Sequence, residues 1–491
     1  MNLDGNRQAS SHVFMLLMKI TLIRNPFPTA FLCLATCQLS AAWAADPFKT
    51  ESLLPPQFIV PTQTASESGI CAAPAAKTRL ALLEVVDLAL CNNPKTRESW
   101  ASVRAQAAQV GVAQSAWLPN LAGNLSETRN WASGDEQNTR FNQGKAGLSL
   151  GWLLYDFGAR EATLENARQL LAAALATRDS TIQTVFLAAV QGFYQTQATQ
   201  AALDAARESE RASQESFRAA EARYQAGSAT PADRLQARTA WSQSTLNRIT
   251  IEGNLKIAQG ALANIVGLDA YSPLNLAPVK QATLDGTFER DMQALVEEAR
   301  LRRPDLLAAE AEVRAAAANL DATRAADRPT LSLAGNSSLL NVADSPTLHD
   351  STIGLNLNIP LFSGYAPTYR IRAAEASSEL KAAQRDRLRL QVALDVWNAY
   401  QNLKTATESL RTSADLMESA TLSEQVALGR YKAGVGTILD ALSAQSALAS
   451  ARLQQIRAAF DWNLNRAALA HAMGGLDTNL LQTLPGVTKT P

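Results

Sequence analysis

The apolar positions along this chain switch between two periods, and they do so in the same order twice. Leu82, Leu83, Val86 and Leu90 open a pattern of helical spacing that reaches Trp117, which predicts a helix stopped at Pro119. The period then drops to two, predicting strands over Leu121 to Trp131 and Ala146 to Tyr155. In the second of these, Ala146, Leu148, Leu150, Trp152 and Leu154 alternate with Gly147, Ser149, Gly151 and Leu153, leaving one face apolar and the other mostly small or polar. From Ala159 to Ala226 the composition is helical for 68 residues, with no Pro and with Gly192 as its only Gly. At ~1.5 Å per residue such a helix reaches roughly 100 Å, far beyond ordinary globular helices. A further helix follows the break at Gly227 to Pro231 and runs to about Val266.

The second half repeats the programme. A helix from about Met292 to Ala326 ends before Pro329, Leu331 and Leu333 begin a strand, and Asn341 to Asp350 reads as a polar loop. Ile353, Leu355, Leu357, Ile359 and Leu361 alternate with Gly354, Asn356, Asn358 and Pro360. Another 68-residue helix spans Ala366 to Ala433, breaks at Gly434 to Gly436, and is followed by a last helix to about Met473. Landmarks keep step. Arg223-Tyr224-Gln225-Ala226-Gly227 leads to Asp233, and Arg430-Tyr431-Lys432-Ala433-Gly434 leads to Asp440, about 207 positions later. Asn93-Pro94 matches Arg303-Pro304, Pro119 matches Pro329, Gly158 matches Gly364, and Gly267-Leu268-Asp269 matches Gly475-Leu476-Asp477. A repeat of this length is a duplicated structural unit. The expected division is an export signal over 1–44, a leader over 45–79, a first repeat over 80–270, a linker over 271–290, a second repeat over 291–477 and a tail over 478–491. The fold class is mainly α with a small β part.

Four strands with one apolar face cannot close a spanning barrel alone, since ~8 is the smallest usual number, and lipid does not tolerate an open sheet edge. Either the strands pack on a helical layer or several copies pool them, and three chains would supply twelve. Trp131, Trp152, Tyr155, Phe157, Phe362, Tyr365 and Tyr369 cluster at or near strand ends in a chain that is only 6% aromatic. That placement favours the pooled barrel with a bilayer interface at the strand ends, against aromatics that cap a sheet on a helix bundle. Stripes such as Ile182, Val185, Phe186, Ala189 and Phe193, or Leu388, Val392, Val396, Ala399, Tyr400, Leu403 and Leu410, suit close side-by-side packing. Taken alone, the helices favour a soluble antiparallel coiled coil.

Composition narrows the function class. The 491 residues carry 45 basic and 45 acidic side chains, so nucleic-acid binding has no electrostatic footprint. Lys19 and Arg24 precede an apolar run from Ala30 to Leu39, and Ala42-Trp43-Ala44 offers a cleavage site, the pattern of an export signal. Met15 and Met18 are alternative starts, and Leu34-Ala35-Thr36-Cys37 is a competing lipoprotein box that would acylate Cys37. After cleavage only Cys71 and Cys91 remain, and their pairing stays open. No cofactor is expected: His349 and His471 have no metal-ligand spacing, and no phosphate loop or nucleophile elbow is present.

The duplication, the strand pairs ending at Tyr155-Asp156-Phe157-Gly158 and Leu361-Phe362-Ser363-Gly364, and the two Arg-Tyr-x-Ala-Gly turns together resemble the TolC family of outer-membrane exit ducts. Within that family the chain is similar to the secretion proteins for cyclolysin, an adenylate cyclase toxin. The resemblance implies a homotrimer forming a 12-stranded barrel in outer-membrane lipid, continued by a long helical tunnel across the periplasm. It implies a passive conduit, not an enzyme, working with a periplasmic adaptor and an inner-membrane ABC transporter. An exported protein toxin is the expected substrate, with multidrug efflux as the alternative and a soluble periplasmic scaffold as a remote one. Nucleic acid is not an expected partner.

The two turns then fall at a periplasmic gate. The family's gate Asp falls on Asp233, its Tyr partner on Tyr431, and the acidic ring of the constriction on Asp440, with Gly227, Gly434 and Gly436 shaping the turns. This chain departs from better-studied members at Gly436, where they carry an Arg, and at Ser443, where a second Asp is expected. A bland role competes at Asp233 and Asp440, namely N-terminal helix capping after a Gly/Pro break. Trp131, Trp152, Tyr155, Phe362 and Tyr365 are the candidate membrane-interface aromatics.

Overall fold

In a computed structural model of the chain, placement is described for residues 46–55, 79–132, 139–278, 291–342 and 345–476. The expected export signal, Cys37, most of the leader, the later part of the linker and the C-terminal tail lie outside these residues. The described residues 46–52 belong to a unit of their own, which includes the first residues of a 3-10 turn at Thr50–Leu53. The body begins at Leu53.

Each repeat starts with a broken helix where the periodicity predicted a continuous one. The first is split into α1 (Leu82–Asn92) and α2 (Pro94–Ser115), the other into α5 (Met292–Arg302) and α6 (Pro304–Ala325). Proline lacks an N–H and pushes the preceding residue out of the helical region, and Asn93 and Arg303 are accordingly extended, with ψ of 129° and 119°. Asn93 uses the break: its side chain accepts from the Lys95 N–H at 2.9 Å and donates to the Ile265 carbonyl at 2.8 Å. Arg303 instead binds Asp305 and Asp395 at 2.6 and 2.8 Å. The long helices run as expected to within a residue, α3 over Ala159–Gln225 and α7 over Ala366–Lys432, 67 residues each. They return as α4 (Pro231–Ile265) and α8 (Ile438–Ala472).

Among the described residues, two sheets form. A short parallel pair joins β1 (Arg79–Leu80) to β4 (Asn275–Leu276). An antiparallel sheet orders β2 (Asn120–Ala132), β3 (Thr139–Tyr155), β5 (Thr330–Val342) and β6 (Leu348–Asn358) in sequence. The second strand pair is longer toward its loop than the polar stretch Asn341 to Asp350 predicted, because a ladder satisfies backbone groups whatever the side-chain polarity. It also stops at Asn358 rather than Leu361, before Pro360, which cannot donate to a ladder.

Register separates the two faces of this sheet. Leu150 faces Leu121 and Gly335, and Leu333 faces Trp152 and Leu355, so Leu, Ile and Trp with interspersed Gly and Ser share one face. Ala122, Ser149, Asn336 and Thr352 form a row on the opposite face. Among the described residues no helix packs extensively on this four-stranded sheet, and Ile353 is 77% exposed in the single chain. The reading in which the strands rest on a helical layer is therefore not the arrangement adopted.

The core sits midway along the helices. Val185, Phe186, Val190 and Phe193 of α3 pack with Leu82, Val85 and Val86 of α1 and Leu262 of α4. Val392, Val396 and Leu403 of α7 pack with Leu295 of α5 and Leu469 of α8 in the corresponding cluster of the second repeat. The α4 and α8 helices end on left-handed Gly267 and Gly474, with φ of 77° and 72°. A Cβ on Gly267 would lie 2.6 Å from the Asn92 carbonyl oxygen, and one on Gly474 2.9 Å from that of Arg302. Gly474, not Gly475, is thus the structural partner of Gly267. Cys91, in α1, is disulfide-bonded, and the chain's other cysteines, Cys33, Cys37 and Cys71, lie outside the described residues.

Phe193 is fully buried in the first cluster, so Phe193→Ala is expected to cost ~3 to 5 kcal/mol. Denaturant unfolding of the detergent-solubilised protein checks this, and an unchanged midpoint would show that the mid-helix belt does not govern stability.

Candidate gate at the hairpin tips

Each long helix ends in the same two-part turn. The Gly227 N–H donates to the Tyr224 carbonyl at 3.0 Å and the Ser228 N–H to the Arg223 carbonyl at 2.9 Å. At the other tip, Gly434 donates to Tyr431 at 3.1 Å and Val435 to Arg430 at 3.0 Å. These paired bonds satisfy the last carbonyls of a helix and require a left-handed residue, which Gly227 (φ 70°) and Gly434 (φ 75°) supply. Gly436 is different: its φ is not positive, but a Cβ there would lie 3.0 Å from Arg430 Cβ.

The return helices then start on reciprocal caps. Thr230 Oγ1 accepts from the Asp233 N–H at 3.2 Å while the Thr230 N–H donates to the Asp233 carboxylate at 3.0 Å. Thr437 and Asp440 repeat this at 3.1 and 3.3 Å. Both predicted acidic gate residues are therefore also capping residues. The Thr230 backbone and then its hydroxyl hold the Asp233 carboxyl below its ordinary value. For Asp440 the Thr437 side chain comes first, then its backbone, with a smaller contribution from Arg430.

Tyr431 is only 6% exposed, packed with Ala220 of α3, Ala237 of α4 and Ile438 and Ala441 of α8. The fold thus brings it against α4, whose first turn carries Asp233 one turn before Ala237. In this structure the Asp233 carboxylate is engaged by Thr230, and among the described residues no hydrogen bond joins it to Tyr431. The side chain that does join the two tips is Arg223. Its guanidinium lies 4.3 Å from the centre of the Tyr431 ring and donates to the carbonyls of Tyr431 and Lys432 at 3.0 and 3.3 Å. A cation over an aromatic face that also meets the carbonyl end of a helix is favourable on both counts. The Arg was visible in the sequence as the first letter of a duplicated motif, but its partner lies 208 positions away.

At the other end of the long helices the predicted interface aromatics gather around the strand-to-helix elbows. Tyr155 meets Phe157 edge-on at 4.7 Å, and Phe362 meets Tyr365 at 5.6 Å. Trp152 Nε1 donates to the Trp117 carbonyl at 2.9 Å. Trp131 lies at the far end of β2, with Arg129 5.8 Å from its ring centre. Phe157 and Tyr365 take positive φ, 53° and 62°, a strained state for bulky residues. Arg160 ties the first elbow together: it binds Asp156 at 3.1 Å and donates to the Ala116, Leu153 and Leu154 carbonyls. No sequence pattern marked Arg160, because three of its four acceptors are backbone carbonyls that only the fold assembles.

Two expectations follow for the tips. Arg223→Ala removes charge-assisted bonds to the end of α7, and should raise hydrogen exchange at Gly434 and Val435 about tenfold; equal exchange would deny Arg223 its linking role. Because the folded pKa values of Asp233 and Asp440 are lowered, their caps are fully formed above about 3.8 and are lost as pH falls through the lowered values. Protection of the Thr230 and Thr437 amides, corrected for intrinsic rate, should hold from pH 7 to 5 and drop below that threshold. Undiminished protection in stronger acid would show that the ionised carboxylates are not needed.

A family model described as outer membrane efflux protein matches residues 85–268 and 295–475, one segment per repeat. The chain is 33% identical over 413 residues to protein CyaE of Bordetella pertussis (strain Tohama I), covering 83% of this chain and 86% of that one. It is 26% identical to the outer membrane efflux protein BepC of Brucella suis, covering 79% and 84%. The CmeC outer membrane channel of Campylobacter jejuni superimposes with a TM-score of 0.73 at 18% identity, over 86% of this chain and 94% of CmeC. The architecture is accordingly that of an outer-membrane β-barrel continued by an α-helical tunnel, and the chain belongs to the outer membrane efflux protein family, that of TolC.

Proposed function

We propose that this protein is the exit duct of a type I secretion system, a homotrimer that passively conducts an exported protein toxin and engages a periplasmic adaptor and an inner-membrane ABC transporter. One observation carries the ring. Among the described residues the sheet leaves the outer edges of β2 and β6 without a partner strand, and the helices leave matching margins. Among the described long helices, α2 packs on α3 alone and α4 chiefly on α3, while α7 packs against α6 and α8 at the other margin. Since α2 leads into β2 and β6 into α7, the open edges of sheet and helices lie on the same two sides. Exposed Leu246, Ile249 and Ile257 on α4 and Leu390, Leu394 and Trp397 on α7 line them. Two different complementary edges generate a closed ring of head-to-tail contacts, and three copies supply the twelve strands.

The outer face of such a barrel fits lipid. From Leu331 to Leu339 on β5 is eight steps, which at ~3.4 Å per residue and ~40° of tilt spans about 21 Å, near the ~25 Å apolar band of outer-membrane barrels. No catalytic role is assigned. Three exposed Asp440 carboxylates around a threefold axis would favour cations.

Protein export is supported by the 33% identity to CyaE, together with the resemblance to cyclolysin secretion proteins. Efflux is the second reading, supported by BepC and by a relative named as a probable efflux pump outer membrane protein, TtgC. Deletion of the gene decides between them: a large protein should vanish from the culture supernatant, whereas a change in drug sensitivity alone would favour efflux. Reconstituted in planar bilayers, the protein should conduct with cation preference, and Tyr431→Phe should raise that conductance if the hydroxyl holds a closed state. An equal conductance would remove Tyr431 from the gate.

A further inference from the structure

The duplication also says what fills a groove on the second hairpin. On the first hairpin, Ser216, Ala220 and Arg223 form a seat for the second: Ser216 hydrogen-bonds Gln445, Ala220 packs with Tyr431, and Arg223 covers the Tyr431 ring. About 207 positions on stand Ser423, Ala427 and Arg430, the same three residue types at the same helical spacing. These three line a groove of about 340 Å³ on α7 together with Leu422, Val426 and Asp440. The first seat is filled from within the chain. The second is open, and Leu422 and Val426 are 57% and 61% exposed.

The counterpart of Tyr431 is Tyr224, on the hairpin that forms the opposite margin of the chain. Its ring is half-buried, with Arg234 5.2 Å from its centre. We propose that Tyr224 of a second copy occupies the α7 groove, packing on Ala427 beneath the Arg430 guanidinium. This rests on the head-to-tail ring proposed above. Arg430 would then stack within ~6 Å of a Tyr ring and face the carbonyl end of the neighbouring α3, as Arg223 faces that of α7 within the chain. Arg-to-Tyr clasps would alternate within and between copies around the tips, six in a ring of three, and the duplicated Arg-Tyr dipeptide would be the element that writes both kinds.

The same arrangement predicts a second neighbour pair. Gln445, which meets Ser216, has Arg238 as its counterpart about 207 positions earlier, so Ser423 should meet Arg238 of the second copy.

Disulfide trapping in the full-length protein in outer membranes tests the clasp. With Tyr224→Cys and Ala427→Cys in one chain, oxidation should convert most monomer on a non-reducing denaturing gel into dimer and trimer bands that reduction abolishes. The pair Ala220→Cys with Tyr431→Cys, built on the contact within the chain, should cross-link at monomer mass. Should loss of the Tyr224 ring disturb folding, Ser423→Cys with Arg238→Cys asks the same question away from it. Cross-linking of the first pair at monomer mass, or none in protein that light scattering shows to be trimeric, would overturn the clasp and leave the ring intact. A monomeric particle before oxidation would overturn the ring and the clasp with it.

Discussion

A β-sheet with one apolar face and two unpaired edges has no stable resting place in a single chain. Its backbone donors and acceptors at β2 and β6 need partners, and its Leu and Ile face needs something other than water. Lipid covers the face but makes the unpaired edges costlier, since no water remains to satisfy them. Only further strands in continuous register meet both demands, and the helices obey the same geometry because each margin helix is joined to an edge strand by a short turn. The ends of the sheet and the sides of the tunnel are in this sense one constraint.

The duplication makes that constraint affordable in sequence terms. One programme of broken helix, strand pair, long helix and return helix is written twice, and its recurring devices are local: Pro94 and Pro304 break the first helix, Gly227 and Gly434 end the long one, Thr230 and Thr437 start the return. What differs between the copies is what each side chain meets. Asn93 binds the backbone at the end of α4, whereas Arg303 holds two carboxylates. Arg160 clamps the first elbow through four acceptors, while its counterpart at the second position of α7 is Pro367, whose side chain has no donor.

At the tips the same carboxylates serve local and long-range roles. Asp233 and Asp440 stabilise the first turns of α4 and α8 through their threonines, and they remain exposed enough to present charge. Capping fixes where the charge sits. At the very tips the tie between the two hairpins is made by Arg223, whose positive charge meets both an aromatic face and the carbonyls at the end of α7.

The sequence by itself determined the elements whose causes are local: the long helices from an absence of Pro and Gly, the strand faces from a period of two, the turns from glycine and threonine spacing, and the two-copy plan from the repeat. Even the apolar stripes of α3 and α7 named much of the core. It did not show that α1 and α2 part at Pro94, since an apolar period carries across a break that backbone sterics impose. Nor did it show that Tyr431 is covered by Arg223, or that Arg160 gathers carbonyls both from the end of β3 and from the turn after α2. Those were decided only by tertiary structure, because they depend on which residues 44 and 208 positions apart are brought within hydrogen-bonding distance.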